Sequence, residues 1–362
     1  MGYEIDFLPV GNGDCSGDAI AVRWGEPDNY KVLIYDGGTQ ESGEALVKHV
    51  REHYQTERAD YVVSSHPDND HASGLSVVLK ELEVGALLMH RPWAYSAVIR
   101  DYFDDGRITD DSLAEWLKTK MRAAHALEEL AIEYGIPIYE PFQGTTFGPF
   151  TVLSPEKDWY IHHLIPAFEK SPRLKESKSM AVDVAGIIME AMRKAGAWIA
   201  ESWGRESLRE DVETSAENES SVILFADFEG QGVLLTGDSG TQALHRAVDY
   251  AELKGIDLPA QLRFLQVPHH GSRHNVSTSV LDRIVGARKS ADDGLLTKTA
   301  FVSAGKESTT HPRKMVINAF IRRGARTIAT KGWTIWHHNG MPPRSWGPAP
   351  VLGFATEVES WD

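Results

Sequence analysis

The chain has 362 residues, and 37 Lys plus Arg against 52 Asp plus Glu give a formal charge of −15 at pH 7, which argues against a passive nucleic-acid coat. Hydrophobic residues at 42% and charged residues at 25% are ordinary globular usage and exclude a wholly disordered, collagen-like or low-complexity chain. No short fixed repeat and no flexible linker interrupts the sequence, so a single elaborated domain over residues 1–362 is expected. The lone cysteine, Cys15, rules out an intrachain disulfide and leaves any metal site to imidazoles and carboxylates. With no secretory leader pattern and no run of roughly 20 apolar residues, a cytoplasmic protein without membrane contact is expected.

Taken in chain order, Tyr3–Leu8, Ile20–Trp24 and Val32–Tyr35 are short β-type runs separated by Gly-rich punctuation, which predicts antiparallel strands. The spacing of Ala45, Leu46 and Val50 predicts a helix over Ser42–Glu52, and Asp60–Ser65 suits a buried strand. From Ser96 to Tyr134, Leu113, Trp116, Leu117 and Met121 recur at helical spacing up to Gly135, and Pro137 opens further strands ending at Val152–Leu153. Residues 157–217 are charge-rich and carry Val182, Ile187, Ile188, Met192 and Trp198 at helical periodicity, which predicts a helical insertion. Strands then resume at Val222–Phe225, Gly232–Leu235, Phe264–Val267 and Ala300–Val302, with helices near 241–253, 277–285 and 313–323. Two runs of strands, each followed by helices, predict an α/β fold with helices outside two packed sheets.

The densest chemistry is Ser65-His66-Pro67-Asp68-Asn69-Asp70-His71, where four candidate ligands fall within six residues directly after a buried strand. Imidazole and carboxylate together suit zinc, manganese or iron. The plainer alternative is a polar turn whose aspartates cap the helix beginning near Ala72. Two distant strings repeat the signature at strand ends: Thr236-Gly237-Asp238 and Pro268-His269-His270-Gly271-Ser272. A single Asp there is usually a turn former, and a His pair is usually satisfied by hydrogen bonds. Three such strings closing three strands point instead to ligand loops gathered at one rim.

At these residues the chain resembles the metallo-β-lactamase superfamily, and in particular the hydrolase-like domain of the DNA-uptake protein ComEC. The landmarks run in order through Gly11-Asn12-Gly13-Asp14, Asp36-Gly37-Gly38, the His66 to His71 loop, Asn218 to Ser221, Asp238, His269-His270-Gly271-Ser272, Ser303-Ala304-Gly305 and His311-Pro312. The resemblance implies an αββα sandwich with a helical insertion and two divalent metal ions, zinc or manganese with magnesium a further candidate. In it His66 and Asp68 bind the first ion, Asp70 and His71 the second, and Asp238 bridges both. One of His269 and His270 completes the second site, with His269 slightly preferred. Asp36 stands behind a ligand imidazole and fixes its tautomer, and Asn218 is either a weak oxygen ligand or a turn residue.

Two departures from the common superfamily pattern matter. Asp68 stands where most members have His, and 216–221 lacks the usual imidazole, which makes the first site harder and favours manganese or magnesium. The resemblance also implies that His311 lies near the centre, suited to proton transfer or phosphate contact, and makes Asp70 and His311 the expected catalytic residues. Ser272, Arg273 and Lys306 are candidate anion contacts. Arg322, Arg323 and Arg326, and the Lys170 to Lys178 region, are candidate basic contacts, with solvated helix faces as the alternative.

Together these features predict a phosphodiesterase or nuclease in which a hydroxide shared by two divalent ions attacks phosphorus. The alternatives are hydrolysis of a lactam, lactone or thioester by the same fold, and a non-catalytic metal-containing module that binds a partner. Nucleic acid or a nucleotide is the expected substrate, and the insertion is a candidate lid, dimer contact or partner surface.

Overall fold

The computed structural model describes residues 1–13, 17–26, 28–175, 198–293 and 296–361. Asp14, Cys15 and the Val182–Met192 run lie outside them. Among the described residues no helix is long and apolar enough to cross a membrane.

Alternating burial sets the layers. In the strands Gly2–Phe7, Ala19–Glu26 and Asn29–Gly37, the residues Tyr3, Ile5, Phe7, Ile20, Val22, Trp24, Leu33 and Tyr35 all enter one apolar cluster. Phe150, Val152, Leu224, Leu235, Phe264 and Phe301 of the second sheet fill the other half of that cluster. Successive strand residues point to opposite faces, so Ala19, Ala21, Val32 and Ile34 pack beneath the helices outside. The result is an αββα sandwich, as the sequence predicts.

The first sheet has seven strands in the order Ile335–Asn339, Gly2–Phe7, Ala19–Glu26, Asn29–Gly37, Tyr61–Val63, Leu87–Leu88 and Ile138–Tyr139. Its first four are antiparallel neighbours, and the pairings from Asn29–Gly37 onward are parallel. The second sheet repeats the scheme: Thr146–Phe147, Phe150–Ser154, Ile223–Asp227 and Gly232–Leu235 are antiparallel, then Leu262–Gln266, Lys298–Val302 and Ala325–Ala329 continue in parallel.

The predicted helices of the last third occur at Thr241–Leu253, Thr278–Ile284 and Lys314–Arg322. The stretch 157–217 differs from its helical expectation where it is described. It opens with helical turns from Lys157 to Ala167, but Trp198–Ala200 is a strand paired with the C-terminal strand Glu357–Glu359. Pairing with a segment so distant in sequence overrides local periodicity, because strand formation depends on its neighbours.

Parallel strands release their loops at the carboxyl ends, and both sheets do so at one rim. Tyr35 Oη donates to the Val222 carbonyl at 2.7 Å and Val222 N donates to the Ser65 carbonyl at 2.9 Å, which ties the two sheets together there. Gly237 fits the seam because its φ is +54° and a Cβ would sit 3.0 Å from both Ser65 Cβ and Tyr35 Oη.

Candidate metal centre

Four strand exits supply the site. Asp36 closes Asn29–Gly37, Ser65 to His71 follow Tyr61–Val63, Asp238 follows Gly232–Leu235, and His269-His270 follow Leu262–Gln266. Asp238 is the meeting point. Its Oδ2 lies 3.4 Å from His71 Nε2, 3.7 Å from His269 Nε2, 3.8 Å from His270 Nε2 and 4.0 Å from His66 Nε2.

The far side of each ring is held. His71 Nδ1 lies 2.9 Å from Asp36 Oδ2, His66 Nδ1 lies 2.9 Å from Ser65 Oγ, and His270 Nδ1 lies 3.2 Å from the Ser303 carbonyl. Asp36 itself is locked by Ser65, whose backbone N–H and Oγ–H donate to its two oxygens at 2.7 and 2.6 Å. A carbonyl or carboxylate on Nδ1 keeps the proton there and leaves the Nε2 lone pair for a cation.

These atoms fit a metal. Among the described residues, His66 Nε2, His71 Nε2 and Asp238 Oδ1 are buried without a hydrogen-bond partner, an arrangement costly unless a ligand completes it. Among the described residues, two buried clusters have ligand atoms close enough to share an ion: Asp36, His66 and His71, and His71, Asp238 and His270. Burial and neighbouring charge set the ionisation of these groups. Burial pushes Asp18 up to about 7, reinforced by Asp238 and Asp36. Burial also opposes ionisation of Asp238, but His269, His71 and His270 outweigh it and hold that carboxyl well below its usual range. Burial lowers His270 to about 4.

Of the predicted ligands, His66, His71, Asp238, His269 and His270 converge. His270 belongs to a buried cluster, whereas the His269 side chain keeps 29% exposure and its Nδ1 lies 3.0 Å from Asn218 Nδ2. Asn218 also donates to Thr214 Oγ1 at 2.8 Å, so it braces the His269 ring. Asp68 stands at the edge, with Oδ2 3.7 Å from His66 Nε2 and Oδ1 in contact with Lys170 Nζ. Asp70, half-buried, is in neither buried cluster, although its charge is felt at His270.

The substrate-side candidates divide. The half-buried His311 ring lies 6.2 Å from that of His269 and 6.5 Å from that of His270, centroid to centroid. Ser272 is buried beside the histidine pair, and its Oγ accepts from His274 N at 3.3 Å. Arg273 is turned to the C-terminal segment, donating to the Ser360 carbonyl and lying 4.6 Å over the Trp361 ring. Lys306 is exposed, its stem against Gly332. Arg322 and Arg323 are buried against Glu201, Glu206 and Asp282, so neither the basic patch nor the solvated helix face holds for them.

Sequence reasoning missed Asp18, whose Oδ2 accepts from Gln266 Nε2 at 2.7 Å and lies 3.9 Å from His71 Nδ1. Its only signal is an acid just before an apolar strand. Glu217, whose carboxylate accepts from the backbone of Glu169 and Lys170, carried none.

Two seven-stranded sheets packed face to face, with an Asp and His cluster that could hold a metal where their rims meet, define an αββα sandwich. Residues 12–156 match the sequence model of the metallo-beta-lactamase superfamily. No curated protein matches it. Among solved structures, Zn(2+)-bound PqqB from Methylobacterium extorquens is similar at 11% identity and TM-score 0.40, covering 92% of this chain and 99% of that one. A diphosphatase from the PhnP family is similar at 12% identity and TM-score 0.38, covering 93% and 98%. A long-form RNase Z from yeast is similar at 12% identity and TM-score 0.32, covering 99% of this chain but 42% of the other. Similarity at this level carries no argument about activity.

Proposed function

We propose that the protein is a metal-dependent hydrolase acting on phosphodiesters, with a pair of divalent cations held between the two rims. The observation that carries this is Asp238, whose Oδ2 lies within 4.0 Å of four imidazole Nε2 atoms. His66, His71, Asp238 and His270 would hold the ions, with Asp68 and His269 at the edge. When bound, such ions lower the pKa of water toward neutrality and stabilise both the attacking and departing oxygens of an in-line displacement.

The chain's own groups do the rest. Asp36 and the Ser303 carbonyl fix the tautomers of His71 and His270. His311 stands on the His269 side of the cluster, where its imidazole can hold a proton for the departing oxygen. Small phosphodiesters or nucleotide-sized substrates suit it better than duplex nucleic acid, because the net charge is −15 and Arg322 and Arg323 are spent in the interior. A ComEC-like affinity is part of the same proposal, supported by Asp68 at the departing ligand position.

The test is hydrolysis of bis-p-nitrophenyl phosphate by protein loaded with Mn²⁺ or Zn²⁺, beside nitrocefin and a lactone panel, with Asp238→Ala as control. Phosphodiester turnover lost in Asp238→Ala is expected. Absence of turnover by fully metallated protein, or faster lactam or lactone hydrolysis, overturns the reading.

A further inference from the structure

Lys170 is the one described side chain from 157–175 for which a contact with a predicted ligand stands out, and its backbone is held from two directions. Trp116 Nε1 donates to the Lys170 carbonyl at 2.9 Å. The backbone N–H groups of Glu169 and Lys170 each donate to the buried Glu217 carboxylate at 3.2 Å. Further along, Asp104 N donates to the Arg173 carbonyl and Lys175 N to the Tyr102 carbonyl, both at 2.9 Å. A segment anchored this way sends its ammonium to Asp68 Oδ1 while the other carboxylate oxygen, Oδ2, faces His66 Nε2 at 3.7 Å.

We propose that Lys170 sets the cation affinity of one half of the centre. By holding Asp68 Oδ1 it leaves a single carboxylate oxygen for the His66 side and keeps a positive charge beside it. The His66–Asp68 side then takes up a divalent cation more weakly than the side formed by His71, Asp238 and His270. This rests on the metal-centre reading but not on the identity of the substrate. Lys170 is accordingly a positioning residue, acting through Asp68.

The experiment is titration of the metal-stripped full chain with Mn²⁺ alone, followed by calorimetry and by electron paramagnetic resonance of free Mn²⁺. Wild type should show two uptake steps separated by at least about tenfold, the size of effect a unit positive charge a few ångströms from a divalent ion produces even at high dielectric. Lys170→Met should tighten the weak step by about tenfold and leave the strong one unchanged, whereas Lys170→Arg should keep the wild-type separation. Near-ultraviolet circular dichroism reports whether Lys170→Met is folded, and Lys170→Gln replaces it in the comparison if it is not. Equal affinities in wild type, or a weak step unmoved or weakened by the neutral substitutions, overturn the proposal and leave the phosphodiesterase reading to its own assay. A chain that takes up no Mn²⁺ overturns the metal centre and this proposal together.

Discussion

Asp36 Oδ2 sits 2.9 Å from His71 Nδ1, on the opposite side of the ring from Asp238, whose Oδ2 lies 3.4 Å from Nε2. The carboxylate thereby directs the ring's open nitrogen at the centre of the site. Asp36 has φ 56°, a left-handed conformation that Asn also tolerates, so Asp36→Asn should keep the backbone while removing the charge. Its amide can then donate to Nδ1 and drive the proton to Nε2. The expected result is divalent-cation affinity lower by about 10–100-fold, read by chelator competition. Unchanged affinity would mean that the ring orientation is set elsewhere.

His311 offers a prediction that depends on the leaving group. The fold fixes its backbone: His311 N donates to Ser308 Oγ at 3.0 Å, and Lys331 Nζ donates to the His311 carbonyl at 2.8 Å. If its imidazole protonates the departing oxygen, His311→Gln should lower kcat on order 10²–10⁴-fold for an alkyl ester such as a nucleotide diester. For bis-p-nitrophenyl phosphate, whose phenolate departs without a proton, the loss should be small. Metal content should stay at the wild-type level. Equal losses on both substrates would assign His311 to binding instead.

The strands and the three ligand strings were legible because both signals are local. Period-two alternation marks Tyr3, Ile5 and Phe7 as one face, and His66 to His71 crowd ligand types into one loop. What stayed hidden is set by long-range meetings. Asp18 looks like a turn acid until Gln266 and His71 arrive beside it. Lys170 and Asp68 are 102 positions apart, and neither carries a mark of the other. The difference between His269 and His270 is invisible in sequence because it lies in remote partners: Asn218 meets the Nδ1 of the more exposed His269 ring, and the Ser303 carbonyl that of the buried His270 ring.

Arg322 and Arg323 show how a basic run misleads when its partners are remote. Arg322 is fully buried with Nη1 3.1 Å from Glu201 Oε1, and its Nη2 donates to the carbonyls of Ser202 and Arg205 at 2.6 and 2.7 Å. Arg323 reaches Glu206 at 2.7 Å and Asp282 at 2.8 Å. Removing one partner strands buried carboxylates, so Arg322→Ala should cost about 3–5 kcal/mol by chemical denaturation. Arg326, exposed, should cost within about 0.5 kcal/mol when replaced by Ala. A small loss for Arg322→Ala would mean that the pair is solvated and its arginines accessible to a ligand.

His90 gives the acid limb of stability. It follows the strand Leu87–Leu88, packs 4.6 Å from Phe142 and 4.5 Å from Tyr160 between ring centroids, and neither ring nitrogen has a hydrogen-bond partner among the described residues. Burial pushes it from the ordinary 6.5 down to about 3, so the folded chain keeps it neutral where the unfolded chain would protonate it. Its contribution is therefore complete above about 6.5 and is lost progressively as pH falls from there toward about 3. His90→Phe has no proton to gain and keeps the ring contacts. Relative to wild type, the variant should gain about 2 kcal/mol between pH 7 and pH 5, from the linkage of about 1.4 kcal/mol per pH unit below the unfolded value. Urea denaturation of both proteins after metal removal, at the two pH values, reads that difference directly. A gap that does not widen on acidification would show that His90 finds a proton partner inside the fold.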